Sequence, residues 1–374
     1  MNWNHTSIEK EEYYNMLSTM HIKNDCETLK ALAPVISQPI IILGMLPYLS
    51  LFCNSVQEYI NRNIAYTAIE NDSPFSISDM RSKLKLFDER YSKAKKQILL
   101  SDDLQDQKFR DRLRFPWTRG LNIHYNLGVF CDEEGHIIGN TQYIYFLFQD
   151  KLFSKSLEDP NELREFGQAI GTVISSTCSG LKDFLPDYCV NINSRKFKIS
   201  YKDFNTNHRF NLFPQIKNGK EVTLRLLHIL TYINFLRYVI MNIADYTNPW
   251  RLRVMYITLY YAVKSIDKLV FILDANNKEK ELAMELKNFI SFKEGIFDSV
   301  FRNCMMHYGF FDNGKSSIND EYLDVQIPFG GLIESRFNGY NYAKYSNLLN
   351  DKVIKLSDDL TAILPINLTG LREL

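Results

Sequence analysis

Late in the chain the sequence reads Phe301-Arg302-Asn303-Cys304-Met305-Met306-His307-Tyr308, which places a guanidinium, an amide and an imidazole within six positions. On a helix Asn303 and His307 stand four apart and share a face, with Arg302 one position round at its edge. These groups suit a phosphodiester. Arg302 can pair with two phosphate oxygens through its planar fork. An imidazole, which ordinarily titrates at about 6.5, can move a proton at neutral pH. No carboxylate cluster stands near the motif to hold a metal ion, and no cofactor is implied. A plainer use of the same residues also exists. Asp298 lies four positions before Arg302 and offers an intrahelical salt bridge, and a lone helical histidine often only packs or faces water.

Arg302-Asn303-x-x-x-His307, late in a helix and set among other helices, resembles the signature of HEPN domains (higher eukaryotes and prokaryotes nucleotide-binding). The resemblance covers about residues 221–374 and leaves the first 200 or so without a recognised family. It implies a metal-independent endoribonuclease in which the RNA 2′-OH attacks the adjacent phosphate. Arg302 would then stabilise charge on the phosphorane, His307 would act as general base or acid, and Asn303 would orient the imidazole or a phosphate oxygen. By the same resemblance, two copies of the motif meet across a homodimer of C-terminal bundles, and the biological setting is a toxin or an abortive-infection, anti-phage effector. An antitoxin or defence protein is a possible partner, and no DNA partner is expected. The alternatives are a non-catalytic HEPN bundle that binds a nucleotide or a protein, and a membrane-associated effector.

The elements that must position the motif read as mainly helical. The 374 residues balance 44 Lys+Arg against 44 Asp+Glu, and 45% are hydrophobic. That composition suits one large or two ordinary globular domains and excludes wholesale disorder or a polyionic tail. With no net charge, attraction to nucleic acid or acidic lipid must come from a local patch. Six cysteines without a CxxC pair exclude a zinc ribbon. Scattered thiols behind an N-terminus without a signal-peptide pattern fit a reducing cytoplasm. The challenge to that localisation is Ala31 to Gln57, which carries no charged residue. Pro34, Pro39 and Pro47 interrupt it, and its strongly apolar part falls short of the roughly 20 residues a spanning helix needs, so a buried helix is the better reading.

The period of the pattern divides the chain into an N-terminal α+β region, 1–205, and a C-terminal antiparallel helical bundle, 221–374. In the first, helices are expected over 5–33, from Ile77 to about Leu100 and from Pro160 to Leu185, the last with Gly167 and Gly171 spaced for close packing. Asn122–Phe130 and Tyr143–Phe148 read as the strands of a β-hairpin around Asp132-Glu133-Glu134-Gly135, and Val190–Tyr201 as a second hairpin. Asp203–Lys220 is the best linker. The bundle helices are expected over about Glu221–Tyr246, Trp250–Leu273, Lys278–Tyr308 and Tyr340–Leu364.

Two basic stretches offer a path for RNA. Arg81–Lys96 includes Lys93, Lys95 and Lys96, and Arg112 and Arg114 follow among Phe115 and Trp117. Basic side chains with aromatic neighbours suit a single-stranded backbone and stacked bases, although the same lysines serve equally as a solvated helix face. His124, His136, His208 and His228 are scattered and suggest no site.

Overall fold

The computed structural model describes residues 7–63, 77–88, 90–111, 125–148, 160–182, 190–206, 220–276, 280–312, 315–364 and 366–373. The protein is mainly helical with a small antiparallel sheet. Its centre is α9 (Pro249–Asn276), whose first three turns are buried on every side. A helix apolar all round belongs inside a large core, and five others surround this one: α1 (Ser7–Leu32), α7 (Lys220–Phe235), α10 (Lys280–Ile290), α11 (Ser299–His307) and α13 (Tyr342–Ile363). α7 runs on through a π turn, Leu236–Ile240, into α8 (Met241–Ile243). Between α11 and α13 lies the short α12 (Leu332–Arg336). One hydrophobic cluster includes Leu17, Phe52 and Phe87 from the first part of the chain and Leu227, Ile257, Phe301 and Leu349 from the second.

In the first part, α2 (Pro39–Asn63) keeps Pro47 within it and packs on α3 (Ile77–Ser82) and on α11. α2 and the helix through Lys220–Ile243 are both long and apolar enough to cross a membrane, yet 72% and 78% of their apolar windows are buried inside the protein. Both therefore serve as core helices of this fold.

The sheet has the order β2-β1-β3-β6, built from β1 (Leu127–Cys131), β2 (Ile137–Asn140), β3 (Ser200–Phe204) and β6 (Arg372–Glu373). β1 and β2 form the expected hairpin around Asp132–Gly135, but its second strand ends at Asn140. Tyr143–Phe148 is helical, within α5 (Thr141–Phe148). Asn140 Oδ1 accepts a hydrogen bond from the Tyr143 amide at 2.7 Å, a helix cap that the aromatic run masked. The second hairpin is also absent. Ile192 bridges to Ala244 at the end of α8, and only β3 enters the sheet, paired with β1 from Leu127↔Phe204 to Cys131↔Ser200. A two-residue hairpin, β4 (Phe311–Asp312) with β5 (Lys315–Ser316), follows α11.

Three helix expectations need correction. The stretch from Ile77 to Leu100 breaks at Leu86 and Phe87, which have φ of 35° and 58°, before α4 (Tyr91–Asp111) begins. Leu84, Leu86 and Phe87 are all buried, and a straight helix cannot turn all three to one side. Lys278–Tyr308 is likewise broken, at Gly295 with φ of 69°, so that α11 starts afresh at Ser299. In α6 (Pro160–Gly180) the packed side chains are Phe166, Ile170 and Val173, while a Cβ on Gly167 or Gly171 would meet nothing within 4 Å. The glycines thus form no close helix contact. The thiols are not all scattered either: Cys26 of α1 and Cys178 of α6 form a disulfide, with Cα atoms 5.8 Å apart.

Close helix packing does occur at Gly44 of α2, where a Cβ would fall 2.3 Å from Phe235 of α7. Gly44→Ala should therefore destabilise the protein by about 1–3 kcal/mol through overpacking, despite alanine's better helix propensity. Urea unfolding checks this, and Phe235→Leu in the same chain should recover most of the loss.

Candidate functional site

The motif helix α11 is held at both ends by side chains from distant parts of the sequence. At its start, Asp298 does not bridge to Arg302. Its Oδ1 accepts from the Phe301 amide at 2.7 Å and caps the helix. The Tyr256 hydroxyl, on α9, donates to the Asp298 carbonyl at 2.9 Å. At its end, Tyr308 takes a left-handed conformation (φ 56°) and its amide donates to the Cys304 carbonyl. The next two carbonyls, normally orphaned at a helix C-terminus, are also met. Arg253 Nε of α9 donates to Met305 O at 2.5 Å, and Ser55 Oγ of α2 donates to Met306 O at 2.5 Å.

Behind that end lies a buried ionic cluster. Arg253 pairs with Asp25 of α1 at 2.6 Å, with the two side chains 4% and 3% exposed. The Arg253 guanidinium lies 3.7 Å from the Tyr308 ring centre, and the Tyr308 hydroxyl donates to Asp25 Oδ2 at 2.5 Å. Burial raises the Asp25 carboxyl above its usual range, although Arg253 and the Tyr308 hydroxyl oppose the rise. His21, one turn before Asp25, stacks on Phe329 at 4.9 Å, and burial together with the Arg253 charge lowers it to about 3, so it is neutral at physiological pH.

His307, the last residue of α11, faces out of this anchor, half-buried. Its Nδ1 lies 2.6 Å from Glu58 Oε2 on α2. The other carboxylate oxygen of Glu58 accepts from Asn54 Nδ2 at 2.8 Å and lies 3.4 Å from Arg81 NH1 of α3. Burial pushes the Glu58 carboxyl up, but hydrogen bonds from Asn54 and His307 and the Arg81 charge outweigh it and hold it below the usual carboxylate range. Arg81 NH2 is 3.4 Å from both imidazole nitrogens. Burial lowers the Arg81 guanidinium, Glu58 opposes that effect, and the charge of Arg302 adds to it. Arg302 thus lies within electrostatic reach of Arg81. Its guanidinium carbon is 6.0 Å from the Tyr260 ring centre, and it forms no ion pair among the described residues. Nε of Arg302 and Nε of Arg81 are both buried and without a hydrogen-bond partner among the described residues.

The Glu58 carboxylate is thus met by Arg81 and His307, Arg302 lies within electrostatic reach of Arg81, and a site with this excess of positive charge attracts a monoanion such as a phosphodiester. Asn303 is exposed on the outer side of α11, and Glu58, not Asn303, holds the imidazole Nδ1. Lys93, Lys95 and Lys96 are exposed on the first turns of α4. Just before α4, Asp88 pairs with Lys264 at 2.8 Å and with Lys268, both on the helix that carries Tyr260. Arg112 and Arg114 lie outside the described residues. Among the described residues no group of three His, Cys, Asp or Glu side chains converges as a metal site would require. Reasoning from sequence placed Arg81 in a basic stretch and not at the motif, and missed Asn54 and Glu58; all three stand more than 200 positions from the motif. Glu58, the first charge after the apolar run, was the one local signal. No family model, curated protein or solved structure matches this chain.

Breaking the buried anchor should unfold the site together with the protein. Asp25→Ala leaves Arg253 buried without its counter-ion and should cost about 3–5 kcal/mol in urea unfolding. Asp25→Leu combined with Arg253→Met should recover part of that stability, because no charge is then left alone, although the Met305 carbonyl and the Tyr308 hydroxyl lose these partners.

Proposed function

We propose that this chain is a metal-independent endoribonuclease with a HEPN-like C-terminal bundle, of the kind deployed as a toxin or abortive-infection effector. The observation that carries the reading is that Arg81 links two motif residues of α11, lying over the His307 imidazole and within electrostatic reach of Arg302, in a half-buried patch with more positive than negative charge. The packing of α9 against α7, α11 and α13 is compatible with such a bundle. In the reaction the RNA 2′-oxygen bonds to the adjacent phosphorus and the bond from phosphorus to the 5′-oxygen breaks. The products are a 2′,3′-cyclic phosphate and a 5′-hydroxyl. His307 takes the proton from the 2′-hydroxyl or delivers one to the leaving oxygen. Arg302 stabilises the charge that grows on the phosphorane, where a preorganised donor contributes most. Asn303 serves a phosphate oxygen.

Purified full-length protein should cut RNA in EDTA and leave cyclic phosphate ends. Arg302→Ala or His307→Ala should each lower cleavage by about 10²-fold or more without loss of fold, since general acid–base catalysis alone contributes roughly 10²–10⁴. Full activity in either folded variant would refute the reading. Arg302→Lys should rescue poorly, because the ammonium lacks the planar fork.

The exposed lysines of α4 would carry the RNA backbone past this patch. Reversing Lys93, Lys95 and Lys96 to Glu should weaken RNA binding and flatten its salt dependence. Each lost phosphate contact should reduce the log–log slope by about 0.7 for a single strand. Cleavage at saturating RNA should be unchanged. An unaltered slope would mark this turn as solvated helix only.

A further inference from the structure

Two features of the patch are not explained by the motif itself. The first is the set of partners on His307. At 2.6 Å from a carboxylate oxygen, Nδ1 must carry the proton of a short hydrogen bond, because two acceptors would repel at that distance. The carboxylate thus selects the Nδ1–H form of the imidazole and assigns proton exchange to Nε2. Asn54 fixes Glu58 in turn, through its other oxygen at 2.8 Å. The second feature is Arg81. A nitrogen 3.4 Å from both Nδ1 and Nε2 cannot lie in the ring plane without running into Cε1, so this guanidinium covers the face of the imidazole. It keeps a buried Nε without a partner among the described residues, as does Arg302.

We propose that Glu58 and Arg81 complete the phosphodiester site within one chain, Glu58 as the positioning residue for His307 and Arg81 as the second phosphate-binding cation beside Arg302. The inference rests on the nuclease reading above and departs from the expectation that two copies of the motif meet across a homodimer. Charge balance supports it. Arg81 and Arg302 against Glu58 leave one net positive charge, which one phosphodiester neutralises, and a second Arg302 from another chain would leave the occupied site in excess. Among the described residues, the charged and polar groups around His307 and its arginines include Asn54 and Glu58 on α2, Arg81 on α3, Arg302 on α11, and Tyr256, Tyr260, Tyr261 and the buried Arg253 on α9. Of these, only Glu58 carries a negative charge at neutral pH.

The test uses the full-length chain and reads the imidazole directly. In the wild type, NMR of labelled histidine should show the Nδ1–H form of His307 in its neutral state. Glu58→Gln should lower the titration midpoint of His307 as the negative charge is lost. Glu58→Leu should lose the single form. Inorganic phosphate should perturb the His307 signals, and Arg81→Ala should weaken that binding about tenfold. Mixing Arg302→Ala with His307→Ala chains should restore no RNA cleavage. An unchanged midpoint in Glu58→Gln, an unchanged proton position in Glu58→Leu, unchanged phosphate affinity in Arg81→Ala, or recovery of cleavage in the mixture would each overturn the proposal. A wild-type chain that shows the imidazole and phosphate effects yet never cuts RNA would refute the nuclease reading and leave this assignment standing.

Discussion

Asp25 and Arg253 meet 2.6 Å apart with almost no access to solvent, and two charges so far from water cost several kcal/mol each unless every face is occupied. Here the faces are occupied by the C-terminal end of the motif helix. Arg253 donates to the Met305 carbonyl and stacks on the Tyr308 ring, and Tyr308 returns its hydroxyl to Asp25. One ion pair therefore ties α1, α9 and α11 together at the residue that follows His307. The left-handed backbone of Tyr308, unusual for a bulky side chain, is held by the same contacts. Where His307 points is settled by this anchor more than by anything in its own helix.

From that fixed point the patch is assembled across the fold. α2 contributes Ser55 to the Met306 carbonyl and, one turn on, Glu58 to the imidazole. Asn54, Ser55 and Glu58 can occupy these places only because α2 is a core helix with its polar end turned toward α11. Its apolar stretch and its short polar end thus do different work. The apolar part packs through positions such as Gly44 against α7, and the polar end faces the motif. Burial then sets the electrostatics. Glu58 is half-buried yet stays ionised because donors surround it, whereas His21 is fully buried beside the Arg253 charge and stays neutral. The two outcomes separate a charged patch from an inert core.

Several elements were legible in the sequence. Apolar periodicity at helical spacing marked α1, α7, α9 and α13 to within a few residues, because each buries a wide stripe. The turn at Asp132–Gly135 marked the β1–β2 hairpin. The motif itself was visible as residue types at helical spacing. The errors share one cause. Tyr143–Phe148 and Val190–Tyr201 are apolar and aromatic runs whose period suits more than one partner, and a cap at Asn140 or a bridge to Ala244 decides between them only after the chain has packed. The break at Leu86 arises where the neighbouring Leu84, Leu86 and Phe87 are all buried at once, a demand set by surrounding helices, and the break at Gly295 uses a positive φ that glycine adopts freely.

What the sequence alone determined is therefore the helical class, the long apolar-periodic helix over about Trp250–Leu273 and the presence of Arg302, Asn303 and His307 on one helix, since these follow from local spacing. Tertiary structure decided which groups surround them. Glu58 and Arg81 stand far from the motif in the chain, and no local pattern pairs them with it. They meet His307 because α2 and α3 pack on the core beside α11. The same packing turned an expected Asp298–Arg302 salt bridge into a helix cap and left Arg302 with a buried donor to offer. Spacing can place side chains on one face of a helix, but only the packing of whole helices can bring a carboxylate and a second guanidinium to that face.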